Sequence, residues 1–410
     1  MTSALPRKLL GPLGGALVLG LEIALLAFVL LTLLLPGLET LIAAVVLVVA
    51  ALLYLRRNQA LTGLLRELFA AHTRAAWIGA IGLVLLIPFF VISSPYWLFS
   101  IITAMLFIVA CLGLNLQLGS GGMMNLASAA FYGVGSYTAG MLALRAHWPA
   151  WIALLAGALV AGLFSVFLFI PVLKTKGHYL ALVTIAFQFM VTILLDNMEW
   201  TGGPQGLKNI PLFSLAGYSF NRPIDLGLVV LPHYANYYYL LALITAAVAI
   251  ICQRLYHSWV GLTLSTIRDD EIAAQTFGVR VNRWKLAIFS LGNCFIGLAG
   301  GFYALMVGFI SPPNFTFEKS LVMVSVVILG GMDNVFGVIL GAFLLVLLPE
   351  KLRVVQDYRF LIYGLILIIM LIFSPRGLIP FQPRDYAGLA GATRPGRADR
   401  ADHSSAQGGV

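Results

Sequence analysis

Residues 268–278 read RDDEIAAQTFG and form the charged centre of a polar stretch, residues 254–285, in an otherwise apolar chain. Consecutive acids favour the positive end of a helix, and Gly278 suits the position just after a last helical residue. The pattern therefore predicts one short helix over residues 268–277, about 15 Å long at ~1.5 Å per residue. Because so short a helix is marginal alone, we expect the membrane surface or a partner protein to hold it. A solvated connector is the alternative.

The composition of the whole chain is that of an integral membrane protein. Of its 410 residues, 60% are hydrophobic and 10% are charged, and the mean hydropathy is +0.97. Soluble chains carry about 25% charged residues. Apolar runs long enough to cross a bilayer recur along the chain, and no stretch between them is long enough for a second packed core. These features exclude a soluble domain of this length.

The apolar runs predict an all-α polytopic membrane protein with about 10–12 transmembrane or re-entrant helices. The run at 319–349 is long for one crossing and is interrupted at 330–334 by Gly-Gly-Met-Asp-Asn, so we expect two segments or a re-entrant hairpin there. The apolar segments lie near residues 9–35, 38–55, 76–94, 96–118, 123–144, 149–173, 178–196, 236–253, 285–309, 319–349 and 358–374.

Positive charge gathers in alternate loops of this chain, whose net charge is +9. Basic residues crowd loop 56–75, the pair Lys174 and Lys176, and the stretch 254–285, whereas loop 197–235 carries few. This alternation is the positive-inside bias of membrane proteins and differs from a nucleic-acid-binding face. It predicts a multi-pass protein of a bacterial inner membrane whose N- and C-termini, and the stretch 254–285, are cytoplasmic.

Two apolar segments carry polar side chains about four residues apart, which places each set on one helix face. Unpaired polar groups are costly in lipid, so both stripes are expected to face protein or a water-filled path. Lining of a translocation path and hydrogen bonding between helices both explain them. The candidate path residues are Thr184, Gln188 and Thr192 in one segment, and Asn125, Ser128, Tyr132 and Ser136 in the other.

The Glu-x-Ala-Ala pattern at residues 271–274, followed by Gly278, resembles the coupling loop of membrane subunits of ABC importers. Over roughly residues 110–380 the chain more closely resembles the permease family of high-affinity branched-chain amino acid importers. The matching strings occur in the family's order: GLN (113–115), FYGVGSY (131–137), KGHYLALVT (176–184), TGGPQG (201–206), RDDEIAA (268–274), GFISP (308–312), FTF (315–317), LGGM (329–332) and PRGL (375–378).

This resemblance implies a permease subunit of an ATP-driven ABC importer for branched-chain or other hydrophobic amino acids. Its partners would be two cytoplasmic ABC ATPase subunits, a second homologous permease or another copy of the chain, an extracytoplasmic solute-binding protein, and membrane lipid. The chain has no G-x-x-x-x-G-K-[ST] loop, so ATP is expected on the ATPases, and the chain itself is expected to have no cofactor and no enzymatic activity. The residues implied to couple to the ATPases are Arg268, Asp269, Asp270, Glu271, Ala273, Ala274, Phe277 and Gly278.

The resemblance also organises the chain into three parts. Residues 1–75 would hold N-terminal membrane helices and a basic cytoplasmic loop. Residues 76–380 would form the permease core with the coupling loop at 254–285, and residues 385–410, which are poor in apolar side chains, would be a disordered cytoplasmic tail.

Some residues depart from the family's usual pattern and leave the cargo open. These are His178, Gln205, the pair Asp333-Asn334 and the stretch 123–128. Urea or a short amide, carried by a related branch of the same family, is one alternative cargo. An ion-coupled secondary transporter is a different class of alternative. It needs charged groups inside the membrane, and the apolar segments supply little beyond Glu22 and Asp196.

Overall fold

A computed structural model describes residues 72–91, 94–172, 178–215, 218–225 and 230–351, together with a few single positions outside these ranges. The apolar segments expected at 9–35, 38–55 and 358–374 and the tail at 385–410 lie outside the described ranges.

Long apolar sequences form the helices of the described part, as expected for an all-helical membrane protein. Five of these helices are long and apolar enough to cross a bilayer. The short strands are confined to two antiparallel pairs, β1 (Ser214–Leu215) with β2 (Tyr218–Ser219) and β3 (Ile224–Asp225) with β4 (Val230–Leu231). The helices are α1 (Thr73–Phe90), α2 (Pro95–Asn115), α3 (Ser128–Arg145), α4 (Ala150–Val172), α5 (His178–Asn197), α6 (Tyr234–Tyr256), α7 (Trp259–Asp269), α8 (Glu271–Thr276), α9 (Val281–Val307), α10 (Phe317–Gly330) and α11 (Val335–Lys351).

The interruption expected at 330–334 is confirmed, because α10 ends at Gly330 and α11 begins at Val335. The turn between them uses two residues with left-handed backbone, Gly331 at φ 111° and Asp333 at φ 60°. The two helices then pack closely, with Gly330 of α10 against Gly337 of α11. The apolar run at 319–349 therefore lies mostly within two helices joined by a tight turn.

Helix α9 is the centre of the bundle and packs against α2, α3 and α4. Its glycines let backbones touch directly, since Gly292 lies against Gly113 of α2 and Gly297 lies against Gly135 of α3. Small residues at helix contacts are typical of membrane proteins, where close packing replaces the hydrophobic drive available in water. These contacts fix the positions of the helices that carry the candidate site.

The loops of the described ranges collect at two ends of the bundle. At one end, which we call the basic end, Arg268 of α7 donates a hydrogen bond to the carbonyl oxygen of Gly119, the residue that follows α2 by four positions. At the other end, which we call the hairpin end, Leu207 and Ile310 pair as an antiparallel bridge. The residues that join α6 to α9 therefore lie at the basic end, and the four short strands lie at the hairpin end.

We predict that Gly135→Ala destabilises the bundle, because the added methyl group would overlap the backbone of Gly297. Overpacking of a close-packed core costs about 1–3 kcal/mol. Thermal unfolding of the purified protein in detergent measures this loss. Gly82→Ala in α1 is the matched control, since a methyl group there meets no atom within 4 Å. Equal melting temperatures for the two variants would contradict the packing of α3 on α9.

Candidate functional site

The charged stretch at the basic end forms two helices, so the expectation of one helix over 268–277 is wrong. Helix α7 ends at Asp269 and α8 begins at Glu271, with Asp270 between them in extended conformation (φ −152°, ψ 107°). The Asp270 carboxylate accepts hydrogen bonds from the backbone N–H groups of Ile272 and Ala273, at 2.9 and 3.0 Å. Asp270 is therefore an N-cap, which ends one helix and starts the next.

The end of α8 at Gly278 is as expected from the sequence. Gly278 has φ 81°, the left-handed conformation that glycine adopts without strain. Its N–H donates to the carbonyl of Gln275 at 2.9 Å, and the N–H of Val279 donates to the carbonyl of Ala274 at 3.1 Å. These bonds satisfy carbonyls that the six-residue helix leaves open and return the chain toward α9.

Helix α8 has one anchored face and one free face. Ala274 is fully buried against Ile267 of α7 and Val281 of α9. In contrast, the side chains of Ile272 and Phe277 are 72% and 84% exposed. Neither side chain is covered by the described part of the chain. Helix α8 is thus held to α7 and α9 through small contacts, while Ile272 and the following Phe277 project outward.

The charged residues of this stretch divide between inward and outward roles. Glu271 forms an ion pair with Lys285 in the first turns of α9. Arg268 turns inward and pairs with Asp333 at 2.6 Å. Asp269 is 76% exposed and lies 3.8 Å from the Arg268 guanidinium. Of the eight residues expected to couple to a partner, five therefore have side chains that make contacts within the chain: Arg268, Asp269, Asp270, Glu271 and Ala274.

Asp333 is a residue of this site that sequence reasoning did not select. Its side chain is 2% exposed. Besides Arg268, its carboxylate accepts a hydrogen bond from the Ser120 hydroxyl at 2.7 Å, and its backbone N–H donates to Asn115 Oδ1 at 3.1 Å. The available signal was its departure from the family's usual residue at this turn. That departure alone does not indicate which residues Asp333 contacts.

The polar stripe on α5 is buried and satisfied by protein. Gln188 Oε1 accepts from the N–H of Ala130 at 2.7 Å and from the Ser320 hydroxyl at 3.1 Å. Gln188 Nε2 donates to the Phe315 carbonyl at 2.8 Å and to the Thr192 hydroxyl at 3.3 Å. Every hydrogen-bonding position of this amide is therefore used. Such an arrangement joins α5 to α3 and to the start of α10.

The second polar stripe is only partly helical. Asn125 lies in the non-helical segment before α3, and the expectation that it shares a helix face with Ser128 is wrong. Its Nδ2 donates to Gln117 at 2.7 Å and to Asn293 at 3.2 Å. The Ser136 hydroxyl bonds the carbonyl of Gly300 at 2.7 Å. These side chains tie α3 and the segment before it to α2 and α9.

Other members of the stripes also contact their neighbours. The Thr184 hydroxyl accepts from the N–H of Leu126 at 3.1 Å, and Ser128 bonds the Asn125 carbonyl at 3.3 Å. Tyr132 packs its ring near Tyr303, with ring centroids 5.9 Å apart. The two stripes thus meet at the start of α3, where they satisfy free backbone N–H groups inside the bundle. A translocation role for these residues stays a prediction.

Lys319 is a further charged group that the sequence reading passed over. It lies in the first turn of α10, toward the hairpin end, with its ammonium 5.5 Å from the centre of the Tyr303 ring and 6.0 Å from that of Phe315. These distances are within the range of cation–π contacts.

The described fold is that of a helical integral membrane protein with a short charged helix at one end, which agrees with the architecture expected of a membrane permease. The family "Branched-chain amino acid transport system / permease component" matches residues 96–371. The high-affinity branched-chain amino acid transport system permease protein LivM of Escherichia coli K12 is 35% identical over 291 residues, which are 67% of this chain and 68% of that protein. LivM of Salmonella typhimurium LT2 has the same identity and coverage. The chain therefore belongs to the branched-chain amino acid transport permease family, a family of transport proteins and not of enzymes.

A more distant relative is also similar. The probable branched-chain amino acid transport permease protein LivM of Methanocaldococcus jannaschii is 20% identical over 248 residues, which are 57% of this chain and 68% of that protein. No solved structure matches the chain. The family resemblance and the all-helical fold expected from the sequence are confirmed.

We predict that Gln188→Leu lowers stability, because it removes the acceptor of the Ser320 hydroxyl and the shortest hydrogen bonds of the Ala130 N–H and the Phe315 carbonyl. The last two groups keep only the Ala127 carbonyl at 3.1 Å and the Thr192 hydroxyl at 3.4 Å. Each hydrogen bond lost costs about 0.5–1.5 kcal/mol. Thermal unfolding in detergent measures the loss, with Met190→Leu on the exposed face of α5 as control. A stable Gln188→Leu protein with altered relative uptake of leucine, isoleucine and valine would instead support a role in the translocation path.

Proposed function

We propose that this chain is the membrane-spanning permease subunit of an ATP-driven importer for branched-chain or other hydrophobic amino acids. Residues 257–280, at the basic end, would face the cytoplasm of a bacterium and receive two ATPase subunits. The hairpin end would face outward and accept cargo from a solute-binding protein. Membership of a permease family supports the transport role, and the alternation of basic loops supports the orientation.

The observation that carries this proposal is the free face of α8. Ile272 on this six-residue helix and Phe277, the residue directly after it, are exposed apolar groups, and the left-handed Gly278 follows them. A helix this short has little stability of its own, so binding in a groove of a partner protein would stabilise it. The chain has no nucleotide-binding loop, so ATP would bind to a separate ATPase subunit. That subunit would also supply the groove.

The transport cycle would follow from differential contacts. ATP binding would favour one arrangement of the two ATPases, and their grooves would carry the α8 helices of two permease subunits with them. The permease would then favour one access state over the other. Exposed apolar faces on α4 and α5, which include Leu159, Leu163 and Ile193, provide area for lipid and for a second permease subunit.

The cargo is tested with the complete complex in proteoliposomes that hold ATP. We expect uptake of labelled leucine to require ATP, both ATPase sites and the binding protein. Unlabelled isoleucine and valine should compete, whereas urea and acetamide should not. Competition by urea would instead indicate that the cargo is a short amide. Leucine uptake that collapses with an uncoupler while ATP is maintained would contradict the ATP-driven class.

We predict that Ile272→Glu and Phe277→Glu abolish ATP-dependent uptake, because each places a carboxylate where an apolar contact with the ATPase is expected. The measurement is co-purification of the ATPases together with uptake. Thr266→Glu on α7 is the matched control, since it adds the same charge to an exposed position of the same loop. Normal ATPase recovery and normal uptake with both α8 variants would contradict docking at α8.

A further inference from the structure

We propose that the ion pair between Arg268 and the buried Asp333 carboxylate is the connection that transmits movement of α8 to the core helices α2, α10 and α11. This inference rests on the proposed docking of an ATPase at α8. It assigns coupling to Asp333, and it assigns Arg268 an inward role in place of direct contact with the partner.

The ion pair joins three parts of the chain at one point. Arg268 lies in the last turn of α7, two residues before the cap residue of α8. Its Nη1 donates both to Asp333 Oδ2 at 2.6 Å and to the Gly119 carbonyl at 2.7 Å. Asp333 lies in the turn between α10 and α11, and Gly119 lies in the π-helical turn that follows α2. A displacement of the α7–α8 junction therefore pulls directly on both turns.

Several hydrogen bonds hold Asp333 in one position. The Asp333 carboxylate is held by Arg268 and by Ser120 Oγ at 2.7 Å, while the Asp333 N–H donates to Asn115 at 3.1 Å. A methyl group at Gly119 would lie 2.7 Å from Asp333 Oδ1, so the two turns touch without a gap. The Asp333 carboxylate is shielded from water, so its attraction to Arg268 is screened less by salt than that of a fully exposed pair. The contact therefore behaves as a fixed joint.

A second tether connects α8 to the bundle at a different place. Glu271, the first residue of α8, pairs with Lys285 of α9. Movement of α8 thus reaches α9 through Glu271 and reaches α2, α10 and α11 through Arg268. If the Arg268–Asp333 joint is lost while Glu271–Lys285 remains, the ATPase still binds and still moves α8, but the motion reaches only part of the core. The expected defect is uncoupling, in which ATP is hydrolysed without matching transport.

The test measures leucine transported per ATP hydrolysed by the full complex in proteoliposomes. We expect Asp333→Asn to keep ATPase association and ATP hydrolysis and to lower this ratio about tenfold, a size typical of changes in a coupled network. Arg268→Lys keeps the charge but loses the planar guanidinium whose Nη1 reaches both Asp333 and Gly119, and it should give an intermediate ratio. Glu318→Gln, an exposed carboxylate at the opposite end of α10, is the matched control and should leave the ratio unchanged.

Two results would overturn the inference. One is an unchanged transport ratio in Asp333→Asn. The other is a parallel fall of uptake and hydrolysis at constant ratio, which is the behaviour of a contact that only stabilises the fold. If Asp333→Asn fails to accumulate, the ratio of Arg268→Lys decides between the same outcomes. Failure of the proposed function is distinguishable, because wild-type complex would then show no ATP-dependent leucine uptake.

Discussion

In a bilayer, helices gain little from moving apolar side chains out of contact with lipid, so their association depends on how closely their backbones approach. Helix α9 meets this constraint with Gly292 and Gly297, which bring it against α2 and α3 at distances that any side chain would prevent. Because α2 and α9 are fixed to each other, the turn after α2 and the start of α9 are also fixed at the basic end. Helix α8 is attached to both, directly or through α7.

Polar side chains inside the bundle also fix the helices relative to one another, because they accept hydrogen bonds from backbone N–H groups. Helix α3 begins inside the bundle, where its first N–H groups have no water to bind. Ala129 donates to the Ser320 hydroxyl and Ala130 donates to Gln188, at 2.8 and 2.7 Å. Each bond also joins α3 to another helix. Polar stripes that look like a channel lining in the sequence thus hold a helix start in place, since unpaired N–H groups in an apolar setting are costly.

The sequence predicted the long helices, the turn at 330–334 and the stop at Gly278, because each depends on hydropathy or on glycine within a short window. It failed at Asp270, where an acid that favours the first turn of a helix equally favours the cap before it. It also failed for Asn125, since four-residue spacing does not show where a helix begins. The contacts of Asp333 could not be predicted from the sequence, because Asn115 and Ser120 are 218 and 213 positions away along the chain. Periodicity reports neighbours on one helix and carries no information about such distant pairs.

The distance along the chain between these partners has a consequence for biosynthesis. Asn115 and Ser120 leave the ribosome more than two hundred residues before the carboxylate that they bind, and Arg268 leaves it 65 residues before. Until the nascent chain has delivered the turn that holds Asp333, the earliest of these helices lacks its last restraint. A chain that ends before this turn therefore lacks the restraints that Asp333 places on the turn after α2 and on Arg268.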